Sequence, residues 1–389
     1  MRILMISDVY FPRVNGVSTS IKTFRSELQK LGHEVVLLAP DYGTGQDPDP
    51  NIIRIPARKV IGDPEDRMMK RKYVNALIEE LKLQTFDIVH IQTPFVAHYA
   101  GLKIARALNV PCLETYHTLF EEYLYHYIPY LPKRLLRYIA RYFTRSQCAN
   151  VDAVISPSGP MQQILTEYGV TNPIEVIPTG MQMDQFSAGD GERFRQKYGI
   201  AETTPTLVHV GRIAHEKNID FLIHMLSKVK QQIPDVLMII AGEGPALNHV
   251  KNLSQQLVLQ NNILFVGYLS RDSELLDCYS AGDAFVFSSK TETQGLVLLE
   301  AMALGVPVVS TAYLGTQDIL GCGKGALVAK DDLSDYSEKV IKLLNSPELR
   351  RHLSKEGKQY AAEWSASRLA ERMSTFYLEL SAPSVQAAA

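Results

Sequence analysis

Glu292 and Glu300 bracket a glycine in the stretch Ser289-Lys290-Thr291-Glu292-Thr293-Gln294-Gly295-Leu296-Val297-Leu298-Leu299-Glu300. Each carboxylate can accept hydrogen bonds from hydroxyl groups. The run Ala284-Phe285-Val286-Phe287 ahead of them reads as a short buried strand. Leu296 to Leu304 reads as a helix that Gly305-Val306-Pro307 stops. Glu292 then lies in a strand-to-helix loop, and Glu300 lies about one turn inside the helix. The helix start offers free N–H groups and a partial positive charge, which suits a phosphate. A phosphate flanked by two hydroxyl-binding carboxylates is a site for a sugar nucleotide, with a hexose at one end and a ribose at the other. Taken alone, the spacing also fits two solvated or ion-paired surface glutamates.

Three further loops follow apolar runs. Gly211-Arg212-Ile213-Ala214-His215-Glu216-Lys217-Asn218 comes directly after Thr206 to Val210. Two cations flanking such a loop can neutralise a diphosphate, and the competing reading is a surface pair with Glu216. Gly242-Glu243-Gly244-Pro245 follows Val236 to Ala241 and fits either close backbone approach or a tight turn. Pro12-Arg13-Val14-Asn15-Gly16-Val17-Ser18 precedes a helix. Gly16 there lets backbone approach a ligand, or makes a plain Asn-Gly turn. His117 follows the strand candidate Pro111 to Tyr116 and points at the same kind of strand end, although a lone histidine is most often structural. There is no Walker loop, serine nucleophile elbow or metal triad in the sequence. No Asp-x-Asp element is placed for a metal-held diphosphate. Arg212, Lys217 and the helix start can do that electrostatic work, so no metal or cofactor is expected.

The elements that must position these loops alternate. Strand candidates at Arg2 to Ile6, Glu34 to Ala39, Ile52 to Ile55, Ile88 to Gln92, Pro111 to Tyr116, Ala153 to Ser156 and Ile174 to Ile177 are separated by helical stretches. The clearest is Ser18 to Leu31, stopped by Gly32. The pattern repeats with Thr206 to Val210, Val236 to Ala241, Ile263 to Val266, Ala284 to Phe287, Val306 to Ser310 and Ala326 to Val328. Alternation of this kind implies parallel sheets with helices on both faces. The fold class is α/β, with two doubly wound lobes. The first spans 1–187 and the second 188–364, with a crossing at Ala188-Gly189-Asp190-Gly191-Glu192. The last helical stretch, near 365–389, packs back on the first lobe and ends in a frayed tail. Ligands of open parallel sheets bind beyond the strand C-termini, so the expected site is a cleft where the two lobes face each other.

The bulk numbers fit two globular domains: 389 residues, 46% hydrophobic and 21% charged, with a formal charge of -2. No global basic field exists for nucleic acid. Cys112, Cys148, Cys278 and Cys322 match no metal or redox spacing. The opening Met1-Arg2-Ile3-Leu4-Met5-Ile6 reads as a first strand rather than a signal peptide, and no apolar run approaches a membrane span. The expected location is the cytoplasm, with at most a peripheral hold on the inner face of the cell membrane.

Taken together, these residues resemble family 4 of the retaining glycosyltransferases, with the GT-B fold of two Rossmann-like domains. The match runs from Ile6-Ser7-Asp8-Val9-Tyr10-Phe11-Pro12-Arg13-Val14-Asn15-Gly16-Val17 to about Ser310 and includes an intact Gly-Arg-x-x-x-Glu-Lys element and an intact Glu-x7-Glu element. The resemblance implies that Arg212 and Lys217 hold the donor diphosphate and that Glu300 binds the ribose. Glu292 and the backbone of Gln294, Gly295, Leu296 and Val297 hold the hexose. Gly16 lets the first loop approach the donor. His117 sits beside the reacting centre, making His117, Arg212, Lys217 and Glu292 the catalytic set. The implied chemistry is front-face substitution with retention, in which the leaving phosphate takes the acceptor's proton.

The segment Thr115 to Tyr127 resembles the acceptor side of enzymes that make glucosyl-diacylglycerol. In the helical stretch that follows, Arg134, Arg137, Arg141 and Arg145 share one stripe, with Leu135, Leu136, Ile139 and Phe143 elsewhere round the helix. A basic amphipathic helix can lie on an anionic bilayer, or can be an ordinary surface helix with its apolar face in the first lobe. The expected reaction moves glucose from UDP-glucose to a lipid such as diacylglycerol in an α linkage. Alternatives are a soluble sugar or polysaccharide precursor as acceptor, GDP-mannose as donor, an epimerase on the same fold, or a two-lobed binder without catalysis.

Overall fold

The computed structural model of the chain describes residues 1–43, 47–60, 63–119, 121, 132–186, 189–271 and 273–382. It divides into two compact units, Met1–Gly180 with Ala366–Ala389, and Met181–Ser365.

The first unit contains the strands β1 (Arg2–Ile6), β2 (Glu34–Pro40), β3 (Ile52–Ile55), β4 (Ala57–Val60), β5 (Asp63–Met69), β6 (Ile88–Ile91), β7 (Cys112–Thr115), β8 (Ala153–Ser156) and β9 (Ile174–Val176). Seven of them form one sheet in the order β3-β2-β1-β6-β7-β8-β9, every pair parallel. A parallel sheet is covered on both faces, so its strands read as unbroken apolar runs rather than alternating ones. In β1, Ile3, Leu4, Met5 and Ile6 are all fully buried. The helix α1 (Gly16–Lys30) begins where the Asn15 side chain accepts the Ser18 amide at 2.8 Å. It ends in a Schellman arrangement, with Gly32 at φ 85° and the His33 amide bonded to the Leu28 carbonyl at 3.0 Å.

The hairpin β4-β5 is antiparallel and lies outside the main sheet. Its sequence, with Asp63-Pro64-Glu65-Asp66, carries no strand signal.

The second unit has β10 (Thr206–Val210), β11 (Leu237–Ala241), β12 (Ile263–Gly267), β13 (Ala284–Phe287), β14 (Val308–Thr311) and β15 (Ala326–Ala329). They form a parallel sheet in the order β12-β11-β10-β13-β14-β15. Two apolar clusters cover its faces, one including Phe285, Leu298 and Met302, the other Leu222, Leu226 and Tyr336.

The division between units falls at Gly180/Met181, ahead of the polar segment at 188–192. Met181 bridges to Ser365, its amide bonds to the Trp364 carbonyl at 2.6 Å, and its side chain joins the second unit's core. Residues 187 and 188 lie outside the described residues. The terminal helix Ala366–Ser381 belongs to the first unit: Leu369, Ala370, Met373 and Tyr377 share a core with Ile21, Phe24 and Leu28. The tail at 383–389 is outside the described residues.

Candidate functional site

In each sheet the strand order reverses once, between β1 and β6 in the first unit and between β10 and β13 in the second. Ligands of doubly wound sheets bind beyond the strand C-termini at such a reversal. The chemistry-bearing loops follow these strands or their neighbours.

In the second unit, Lys217 lies in a short 3-10 turn, His215–Lys217, after β10. Its Nζ is 2.6 Å from Glu292 Oε1, in the loop after β13. Burial pushes the Glu292 carboxyl up, but the Lys217 ammonium, together with Ser289 and His209, holds the group below its ordinary value. Arg212 Nη1 is 3.9 Å from Glu216 Oε1, a loose pair within the same loop. Gly295 caps the helix Leu296–Ala303 at φ 97°, where a Cβ would come within 2.9 Å of Thr316 Cγ2. Gln294 beside it is buried, and Leu296 and Val297 supply the first-turn amides.

Glu300 is 3% exposed, and each of its oxygens has a partner. Its Oε2 accepts from the Tyr279 hydroxyl at 2.8 Å, and its Oε1 pairs with Arg271. Neither partner was singled out from the sequence. Arg271 sits in the loop after β12, so the strand-end rule applied to Ile263 to Val266 could have found it. Tyr279 lies inside the helix Glu274–Ser280 and carries no sequence signal for this contact.

The glycines at 242 and 244 serve the scaffold. A Cβ on Gly242 would stand 1.9 Å from the Gly211 carbonyl oxygen, and one on Gly244 would stand 2.3 Å from that of Ile213. The close approach these glycines permit is between the two loops themselves.

His209, in β10, was also missed. It is 0% exposed, its Nδ1 is 3.1 Å from the Val286 carbonyl oxygen, and burial pushes its imidazole down to about 4.

In the first unit, His117 follows β7 and its Nε2 is 3.1 Å from Gln92 Oε1, just past β6. Burial pushes this imidazole down to about 4, so it is neutral at pH 7. Behind it, His90 is held between Thr115 Oγ1 at 2.7 Å and the Tyr377 hydroxyl at 2.6 Å, and burial lowers it to about 3. Asp8, at the end of β1, accepts the Ala97 amide at 3.0 Å and the Thr93 hydroxyl at 3.0 Å; burial still raises its carboxyl to about 6. Gly16 opens α1 with nothing within 4 Å of where a Cβ would be, so local packing does not require a glycine there.

The basic helix spans Lys133–Cys148. Leu136, Ala140, Thr144, Gln147 and Cys148 face the unit and are buried. The apolar residues split: Leu135, Tyr138, Ile139 and Tyr142 are exposed, at 44%, 68%, 41% and 68%. All four arginines are exposed, although Arg137 bonds Glu121 at 2.6 Å and Arg141 stacks over Tyr168 at 5.0 Å. Of the acceptor-like segment, residues 120 and 122–127 lie outside the described residues. Among the described residues, no helix is long and apolar enough to cross a membrane, and no group of three or more His, Cys, Asp or Glu residues is placed to hold a metal.

Two parallel α/β units with ligand-type loops at their strand ends fit the two Rossmann-like domains of the GT-B fold. The chain matches the family model described as Glycosyltransferase Family 4 over residues 14–185, and that of Glycosyl transferases group 1 over residues 190–360. It is 35% identical, over 88% of its length and 82% of the relative's, to the alpha-monoglucosyldiacylglycerol synthase of Streptococcus pneumoniae (strain ATCC BAA-255 / R6). Its fold resembles the sucrose-phosphate synthase of Thermosynechococcus elongatus, with a TM-score of 0.81 at 21% identity, covering 97% of this chain and 98% of the other. Anabaena HepE, solved in complex with UDP-glucose, gives a TM-score of 0.77 at 15% identity, covering 97% of this chain and 100% of the other. The chain belongs to glycosyltransferase family 4 and is a hexosyltransferase of the GT-B fold.

Proposed function

We propose that this enzyme moves glucose from UDP-glucose to a lipid acceptor such as diacylglycerol, with retention and without a metal. The observation that carries the donor reading is the pair of ion pairs Lys217–Glu292 and Arg271–Glu300 beside one sheet edge. Each sets a hydroxyl-accepting carboxylate beside a cation, which suits the hydroxyls and phosphates of a nucleotide sugar. Arg212 and Lys217 stabilise the leaving diphosphate, with the first-turn amides of Leu296 and Val297 as further donors. Glu300 takes the ribose hydroxyls, and Glu292 with Gln294 and Gly295 takes the hexose. HepE, which shares the fold, binds UDP-glucose, and this favours that donor.

His117 is neutral and does not repel an oxocarbenium; its Nε2–H is given to Gln92 Oε1, which makes Nδ1 the nitrogen that can accept a hydrogen bond from a sugar hydroxyl. The leaving phosphate accepts the acceptor's proton as the new glycosidic bond forms on the same face. Gly16 gives the donor room beside the first loop.

The lipid acceptor draws support from the named activity of the pneumococcal relative. It also fits the outward face of helix Lys133–Cys148, where Leu135, Tyr138, Ile139 and Tyr142 stand among Arg134, Arg137, Arg141 and Arg145. Aromatic and apolar side chains beside arginines suit the interface of an anionic bilayer. The enzyme would then work on the inner face of the cell membrane.

The test is a thermal-shift screen of UDP-glucose, UDP-galactose, UDP-N-acetylglucosamine, UDP-glucuronate and GDP-mannose, each with and without diacylglycerol vesicles, followed by product analysis. Stabilisation by UDP-glucose and a glucolipid product support the reading. A response to GDP-mannose alone makes the enzyme a mannosyltransferase. Transfer only to water-soluble sugars removes the lipid.

A further inference from the structure

His209 holds a buried atom whose chemistry its partner fixes. Its Nδ1 faces the Val286 carbonyl oxygen at 3.1 Å. A carbonyl only accepts, so Nδ1 carries the hydrogen and Nε2 is a bare lone pair. The ring is fully buried, and Nε2 has no hydrogen-bond partner. Burial lowers the imidazole to about 4, so Nε2 stays unprotonated at pH 7. Such an acceptor is costly to leave unpaired, and native proteins rarely do so without a reason.

Its placement supplies the reason. Nε2 is 3.9 Å from where a Cβ would sit on Gly211, the residue that follows β10. The charges of Lys217 and Glu292 both act on the ring. At the same sheet edge, on β14, the buried Thr311 hydroxyl likewise has no partner. The unpaired atom therefore lies at the strand end that carries the Lys217–Glu292 pair. Ionised phosphate oxygens only accept, so they cannot pair with a bare Nε2. A hydroxyl can.

We propose that His209 is a specificity-determining residue that accepts a hydrogen bond from a hydroxyl of the transferred hexose, and so separates the nucleotide sugar from the bare nucleotide. This rests on the donor reading above. The ring packs near Phe285 and Phe287, at centroid distances of 6.5 and 5.8 Å, so a phenylalanine can take its place while removing the acceptor.

The experiment is calorimetric titration of UDP and of UDP-glucose into wild type, His209→Phe and His209→Gln. The expected result is that His209→Phe weakens UDP-glucose by about ten-fold while leaving UDP within about two-fold, and that His209→Gln recovers most of the loss. Equal weakening of both ligands, or of neither, overturns the inference. A second measurement needs no variant: the imidazole ¹⁵N spectrum of the wild type. UDP-glucose should shift the His209 Nε2 signal upfield as its lone pair gains a hydrogen bond, and UDP should not. An unmoved signal in protein saturated with UDP-glucose also overturns it. Wild type that binds neither ligand sinks the donor reading, and this inference with it.

Discussion

The two units carry their chemistry at equivalent sheet edges but in opposite electrostatic states. In the second unit the groups, apart from the neutral buried His209, are charged and paired: Lys217 with Glu292, Arg271 with Glu300, Arg212 with Glu216. In the first unit they are neutral or pushed toward neutrality: His117 bonded to Gln92, His90 between Thr115 and Tyr377, and Asp8 raised by burial. A buried charge survives only with a partner, whereas a neutral imidazole can wait in an apolar wall. Under the proposed function, the charged groups suit an anionic nucleotide sugar and the neutral ones suit uncharged hydroxyls.

Removing a charge from the second unit should have the largest effect. Lys217→Ala and Glu300→Ala are each expected to lower kcat/KM by about 10³-fold with an unchanged circular dichroism spectrum. Both also leave an opposite charge unpaired, so melting temperature should fall as well. Full activity in either variant breaks the comparison, because the charged unit would then not bind the donor.

The first unit should respond in turnover rather than affinity. His117→Ala is expected to keep the UDP-glucose Kd within about two-fold and lose about 10²-fold in kcat. A changed Kd with unchanged kcat would move His117 to the donor side, and an unchanged rate would return it to a structural role.

Acidification sharpens the contrast with the smallest effect. His90, His117 and His209 sit at about 3, 4 and 4 in the folded chain, below the ordinary 6.5. Between 6.5 and those values the unfolded chain binds protons that the folded chain refuses, so stability falls as pH falls. Asp8 works the other way. Its carboxyl is raised from 3.8 to about 6, so the folded chain takes up a proton first and gains stability through that window. Melting temperature should therefore drop between pH 7 and pH 5, and Asp8→Asn should steepen the drop by removing the opposing titration. A flat profile in the wild type means that the histidines are not held neutral.

The sequence is legible to different depths along the chain. Strands such as β1, β10 and β13 are legible because a parallel strand buried on both faces must be apolar throughout. The hairpin β4-β5 was not, because its second strand is dominated by charge and proline. In the loop chemistry, Lys217 and Glu292 could be named from spacing, but not their 2.6 Å contact, which joins residues 75 apart in sequence. The reading of Gly242 and Gly244 left open a ligand or a turn, and the structure gives them to loop packing. On the basic helix, Leu135 and Leu136 are chemically equal in sequence, yet one faces solvent and the other the core.

The sequence alone determined the alternation of strands and helices, the loops at strand ends, and the residue types able to meet phosphate and hydroxyl groups. These follow from local periodicity and from side-chain chemistry, which no neighbour is needed to define. Only the tertiary structure decided that Glu300 is held by Arg271 and Tyr279, that Lys217 closes on Glu292, and that His209 keeps a lone pair without a partner. Those facts depend on which strands lie side by side, and strand order brings together residues that nothing in their local sequence connects.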